Sequence, residues 1–172
     1  IVYPSGYTSS EDRFIGGGIW EEGGEARLGH TARELRAMVL AWDAAKRGAA
    51  DPDDGRNLVL HEFAHQLDFE NYLADGTPAL DTPTAYRAWG RVLSAELQAL
   101  RRASNAGLAT VLDNYGATDP AEFFAVATEA FFEQPAALAA SHPALFSEMK
   151  NFFRQDPTTY SQAVREAPHT DS

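Results

Sequence analysis

The stretch Asn57-Leu-Val-Leu-His-Glu-Phe-Ala-His-Gln-Leu-Asp68 constrains this chain more than any other. It contains H-E-x-x-H as His61, Glu62, Phe63, Ala64 and His65. Two histidines four residues apart sit one above the other on a helix face. Both imidazoles can then reach one ion, and zinc is the usual one. Glu62 lies roughly 100° round the helix from His61, off the ion but near a water held by it. A carboxylate there can take the water's proton as general base. The pattern also arises by chance, so its surroundings matter. Leu58, Val59, Leu60, Phe63, Ala64 and Leu67 are apolar cover for a largely buried helix. Burying two histidines and a glutamate without partners would be costly. The competing reading is a pair of core histidines bonded to backbone carbonyls, with Glu62 in a surface ion pair.

With 172 residues the chain fits one domain, 1–172, with room for a sizeable core. It has no cysteine, so disulfides are excluded and any metal must be held by histidines and carboxylates. Fourteen basic residues against 25 acidic ones give a net charge of −11. That argues against a nucleic-acid footprint and against docking on an anionic membrane. No apolar run is long enough to span a bilayer. No basic-then-apolar leader is visible at Ile1, so a cytoplasmic location is expected.

Residues 1–54 read as strand-rich. Gly16-Gly-Gly18 and Gly23-Gly24 bracket Ile19-Trp20, suggesting turns around a short strand or hairpin. Ala37-Met-Val-Leu-Ala-Trp42 is an apolar run of strand length, a candidate edge for a peptide to pair with. Residues 55–165 read as helical and carry the site. Asp54 or a neighbour is expected to cap a helix from about Arg56 to Phe69. A second helix is expected over about Thr84 to Ser104. A third follows Thr118 or Asp119, has Pro120 in its first turn, and is closed by Glu133-Gln-Pro135. Two more are expected over about Pro143 to Arg154 and Pro157 to Arg165, before a frayed tail, 166–172. The fold class expected is α+β, a small N-terminal sheet packed on a mainly helical body.

A catalytic zinc site usually takes three protein ligands and leaves one position for water. Candidates for the third are His30, His142, His169 and the downstream carboxylates. The metzincin extension after His65 is absent, which points to a carboxylate on another helix. Glu122 and Glu129 are seven residues apart and share a helix face. Glu122 is favoured, being in the first turn beside the loop that carries Tyr115. It has a rival reading, since Asp119-Pro-Ala-Glu122 is also a capping-box pattern. Glu129 remains open as a ligand, as an acceptor for a ligating imidazole, or as a surface glutamate.

Three spaced motifs carry a resemblance: His61-Glu-Phe-Ala-His-Gln-Leu-Asp68, Tyr115-Gly-Ala-Thr-Asp-Pro-Ala-Glu-Phe-Phe-Ala125 and Phe152-Phe-Arg-Gln-Asp-Pro157. Together they resemble the Mlc titration factor A family, bacterial zinc peptidases of the gluzincin kind. Their active-site region is similar to the catalytic domain of anthrax lethal factor. The likeness runs from about Val2 to Pro157. It implies a zincin-like fold, one zinc per chain, His61, His65 and Glu122 as ligands, and Glu62 as general base. It also implies that Tyr115 stands near the metal and donates to a developing oxyanion. Asp68, just past His65, is a plausible acceptor for a ligand imidazole N–H. The implied activity is hydrolysis of a peptide or protein substrate. The alternative is a regulatory binding protein that sequesters a transcriptional repressor of the Mlc kind. Family members generally carry a further region ahead of the first strand, whereas this chain starts almost at that strand.

Overall fold

In the computed structural model, residues 42–160 are described throughout. Ahead of them the backbone is described at 2–3, 7–8, 13–16, 19–21, 26–27, 29–32 and 37–41. The continuous part is a succession of helices: α1 (Trp42–Gly48), α2 (Leu58–Asp68), α3 (Pro83–Asn105), α4 (Pro120–Glu133), α5 (Pro135–Ser141) and α6 (Pro143–Phe153).

Local chemistry sets most of the helix starts. Asn57 caps α2, its Oδ1 accepting the Val59 and Leu60 amides at 3.1 and 3.2 Å. Thr82 caps α3 by accepting from Ala85 N, and Asp119 caps α4 by accepting from Ala121 N and Glu122 N. A proline follows each of these last two caps at the first helical position, where its missing N–H costs nothing. Pro135 and Pro143 open α5 and α6 in the same way.

The core is helix against helix. α3 buries Trp89, Leu93, Leu97 and Leu100, residues spaced for a single face. α4 is buried almost all round, from Phe123 to Phe131. α6 contributes Leu145 and Met149. Trp89, Phe124 and Phe152 meet edge-to-face with ring centroids 5.4–6.0 Å apart. Phe131 stacks on Phe153 at 5.4 Å. Such pairs stabilise by about 0.5–1.5 kcal/mol beyond the area they bury.

The expected α+β class, with a small N-terminal sheet packed on the helical body, is corrected. From Trp42 to Tyr160 the chain is mostly helical and has no strand. Among the described side chains, every member of the main core cluster lies on a helix or a loop between helices. Ahead of Trp42 the described backbone consists of extended stretches of two to five residues in three separate groups. Ladders that short have little stability of their own. Ala37–Ala41 is extended, but Val2–Tyr3 pairs with it on one side and Gly29–Ala32 on the other. Among the described residues the Val2–Tyr3 side is paired only at Leu40 and Ala41, and Trp42 already belongs to α1.

Three smaller expectations are also revised. The cap of α2 is Asn57 rather than Asp54, whose carboxylate accepts the Arg56 amide one turn earlier. Glu133-Gln-Pro135 ends α4 and at the same time opens α5, which the sequence pattern did not reveal. α2 is less buried than its apolar content suggested, since Phe63 is 54% exposed. Of the helix expected over Pro157 to Arg165, Thr158 to Tyr160 are helical. The remainder, and the tail 166–172, lie outside the described residues.

Candidate metal centre between α2 and α4

α2 and α4 lie side by side, and their facing side chains are polar. His61 and His65 project from α2 towards Glu122 on α4. His61 Nε2 is 3.0 Å from Glu122 Oε2, and His65 Nε2 is 3.5 Å from the same oxygen. The two Nε2 atoms are 3.2 Å apart. Among the described residues, His61, His65 and Glu122 are the group that could hold a metal ion. Glu122 Oε2 is buried and lacks a hydrogen bond of good geometry, despite both imidazoles being close. Two imidazole nitrogens and one carboxylate oxygen thus converge on one point.

The capping-box reading of Glu122 is only half realised. Asp119 accepts amides of the first turn, but the Glu122 carboxylate turns to the histidines. Glu129, one face-repeat further along α4, takes the other side of His61. The His61 Nδ1–H donates to Glu129 Oε1 at 2.7 Å. Glu129 Oε2 accepts the Asn57 amide, and the Asn57 side chain donates to Glu133 Oε1 at 2.8 Å.

The electrostatics follow from this crowding. Burial lowers the pKa of His61, but the close approach of the Glu122 and Glu129 carboxylates outweighs it, raising it to about 10. Burial raises the pKa of Glu122, and the two imidazoles more than reverse that, lowering it to about 2. The site is built for positive charge. Glu62, next to His61 on α2, is buried.

Tyr115 sits on a short 3-10 turn, Asn114–Ala117, that precedes α4. Asp113 anchors the turn twice: Oδ1 accepts the Tyr115 amide at 2.9 Å, and Oδ2 pairs with Arg56 at 2.8 Å. The Tyr115 ring centroid is 6.0 Å from that of His61. Burial, the Glu122 charge and a hydrogen bond to Glu122 raise the phenol's pKa above its ordinary value. It therefore keeps its proton at neutral pH and can donate. A cavity of about 320 Å³ opens beside it, lined by Gly55, Arg56, Asp113, Tyr115, Val126 and Glu129.

The far end of the α2–α4 pair is fixed by a loop. Asp68 Oδ2 accepts the Gly76 amide at 3.0 Å, and Trp89 Nε1 donates to Gly76 O at 2.9 Å. Gly76 has φ +75°, and a Cβ there would stand 2.2 Å from Pro120 O. Only glycine fits, and the contact sets α4's first turn, with Glu122, against the end of α2. Asp68 thus holds a loop rather than an imidazole.

The other histidines stand apart from this cluster. His142 pairs with Glu96 Oε2 at 2.8 Å. The side chain of His30, and His169 altogether, lie outside the described residues.

Residues 1–154 match the family described as Glucose-regulated metallo-peptidase M90. Among known proteins, the chain is 34% identical over 157 residues to an uncharacterized Synechocystis protein. It is 38% identical over 170 residues to the Mlc titration factor A of Salmonella gallinarum, and 32% identical over 168 residues to that of Edwardsiella ictaluri. These matches cover 91%, 92% and 91% of this chain, but only 57%, 59% and 60% of the relatives.

Proposed function

The chain belongs to the M90 metallopeptidase family, and from that premise we propose that it is a zinc-dependent peptidase. In this reading His61, His65 and Glu122 hold one zinc ion, Glu62 is the general base, and Tyr115 stabilises the oxyanion. The single observation that carries it is the triangle of donor atoms, with sides of 3.0, 3.2 and 3.5 Å. Zinc bonds of ~2.0–2.2 Å in tetrahedral geometry require ligand atoms about 3.3–3.6 Å apart. The triangle is close to that size, and the unbonded Glu122 Oε2 is the atom such an ion would satisfy.

Bound there, zinc would supply Lewis acidity, bringing the pKa of a water towards ~7 and drawing charge from a scissile carbonyl. The chain's own residues do the rest. Glu62, buried beside His61, accepts the water's proton and returns it to the leaving amine. The Tyr115 phenol, kept protonated by its surroundings, donates to the carbonyl oxygen as negative charge develops. The neighbouring cavity, with Val126 and Tyr115 in its wall, is where part of a peptide substrate would lie.

A second reading comes from the name of the curated relatives, Mlc titration factor A. The chain would then sequester a transcriptional repressor of the Mlc kind, with hydrolysis secondary. The two readings separate with Glu62→Gln. A peptidase loses hydrolysis, by about 10²- to 10⁴-fold for one general base, and chelation abolishes activity in the wild type. Hydrolysis that survives both the substitution and chelation sinks the peptidase reading. Repressor binding that persists in the Glu62→Gln chain supports the second function alongside the first. No described helix is long and apolar enough to cross a membrane; we place the chain's work in the cytoplasm on the basis of its proposed partner.

A further inference from the structure

We propose that Glu129 is a positioning residue that fixes the tautomer of His61, and that Asn57 holds Glu129 in place to do so. The inference rests on the zinc reading above and assigns residues that reading does not use. His61 has two ring nitrogens with different tasks. Nε2 faces Glu122 and His65, whereas Nδ1 faces Glu129 Oε1 at 2.7 Å. A neutral imidazole carries one proton, and a carboxylate at 2.7 Å accepts it. With the proton on Nδ1, the lone pair is on Nε2 and aimed into the donor triangle. Without Glu129 the proton could occupy either nitrogen, and on Nε2 it would block the metal.

Glu129 is itself locked. Its second oxygen accepts the Asn57 backbone amide at 2.5 Å, so the carboxylate cannot rotate without breaking that bond. Asn57 is in turn held twice. Its Oδ1 caps α2, and its Nδ2 donates to Glu133, one turn beyond Glu129 on α4. One residue therefore sets the start of the helix bearing both histidines and its register against the helix bearing both glutamates. Among the described residues, Glu129, Glu133 and Asn57 form this clamp.

Glu129→Gln tests the lock with nearly unchanged volume. If the amide oxygen keeps the Asn57 N–H, the NH2 group faces Nδ1 and favours the wrong tautomer. The readout is zinc affinity of the full chain, by competition with a chromogenic chelator. Glu129→Gln should bind zinc about 10- to 100-fold more weakly than the wild type. Glu129→Asp, which keeps the charge on a shorter arm, should recover part of that loss. Glu96→Gln, at the His142 pair away from this cluster, should stay within about threefold of the wild type. Should Glu129→Gln fold poorly, ¹⁵N NMR of histidine-labelled, zinc-loaded wild type reads the tautomer directly. It should show Nδ1 of His61 protonated and Nε2 bound to metal. Zinc affinity unchanged in Glu129→Gln, or metal on Nδ1, overturns this inference and leaves the peptidase reading standing. A wild-type chain that binds no zinc overturns both.

Discussion

The two sides of α4 are built on opposite principles. One side presents Phe123, Phe124, Phe131 and small residues such as Ala127 to the interior, where they meet Trp89, Phe152 and Phe153. The other presents Glu122, Glu129 and Glu133 to α2, where Glu122 faces both imidazoles, Glu129 meets His61 and Glu133 accepts from Asn57. Apolar packing is held by summed contact and tolerates small shifts. The acidic side depends on a few distances near 3 Å, and misplacing one group disables it. The apolar side therefore acts as ballast that keeps the acidic side at the right distance from α2. Carboxylates buried without that support would cost stability rather than confer function.

That division can be broken from either side, and the expected effects differ in kind as well as size. Phe124→Ala removes a fully buried ring and should cost about 3–5 kcal/mol of unfolding free energy. Denaturant titration measures it, and zinc stoichiometry of the folded fraction should stay at the wild-type value. A loss of metal without loss of stability would show that the two sides are not separate. Tyr115→Phe should do the reverse. Tyr115 is 55% exposed, so its hydroxyl adds little to folding, whereas a lost oxyanion donor raises the barrier by ~2.7–4 kcal/mol. Steady-state kinetics should show the fall in kcat, with the melting temperature unchanged; equal kcat in both chains would remove Tyr115 from the mechanism. Asn57→Ala acts on the seam between the two. Losing the α2 cap should cost about 0.5–2 kcal/mol, and zinc affinity should fall with it. Intact zinc affinity at reduced stability would make Asn57 a helix cap and nothing more.

Much of the acidic side can be read from the sequence. The spacing of His61 and His65 fixes a shared face on any helix, and the sequence favours Glu122 from its place beside the Tyr115 turn. The sequence leaves the role of Glu129 open. Seven residues apart, Glu122 and Glu129 share a face, and which one meets Nε2 and which meets Nδ1 depends on the height of α2 against α4. That height is set by Gly76 packed on Pro120 O and by Asn57, contacts that no periodicity encodes. Asp68 follows His65 by nearly a turn, which suggests the imidazole role, but its Oδ2 accepts the Gly76 amide. α5 was hidden because Pro135 looks like a stop when it is also a permitted first residue. The α+β expectation came from glycine punctuation and short apolar runs ahead of Trp42. Those features mark extended backbone without saying whether it forms a layer of the core.

The central claim is that His61, His65 and Glu122 hold one zinc ion together. Elemental analysis of wild-type and Glu122→Ala chains, each purified folded and dialysed against the same trace-zinc buffer, tests it directly. One zinc per wild-type chain is expected, with a large loss of zinc from Glu122→Ala. Equal zinc in the two chains, or none in a folded wild type, would contradict it.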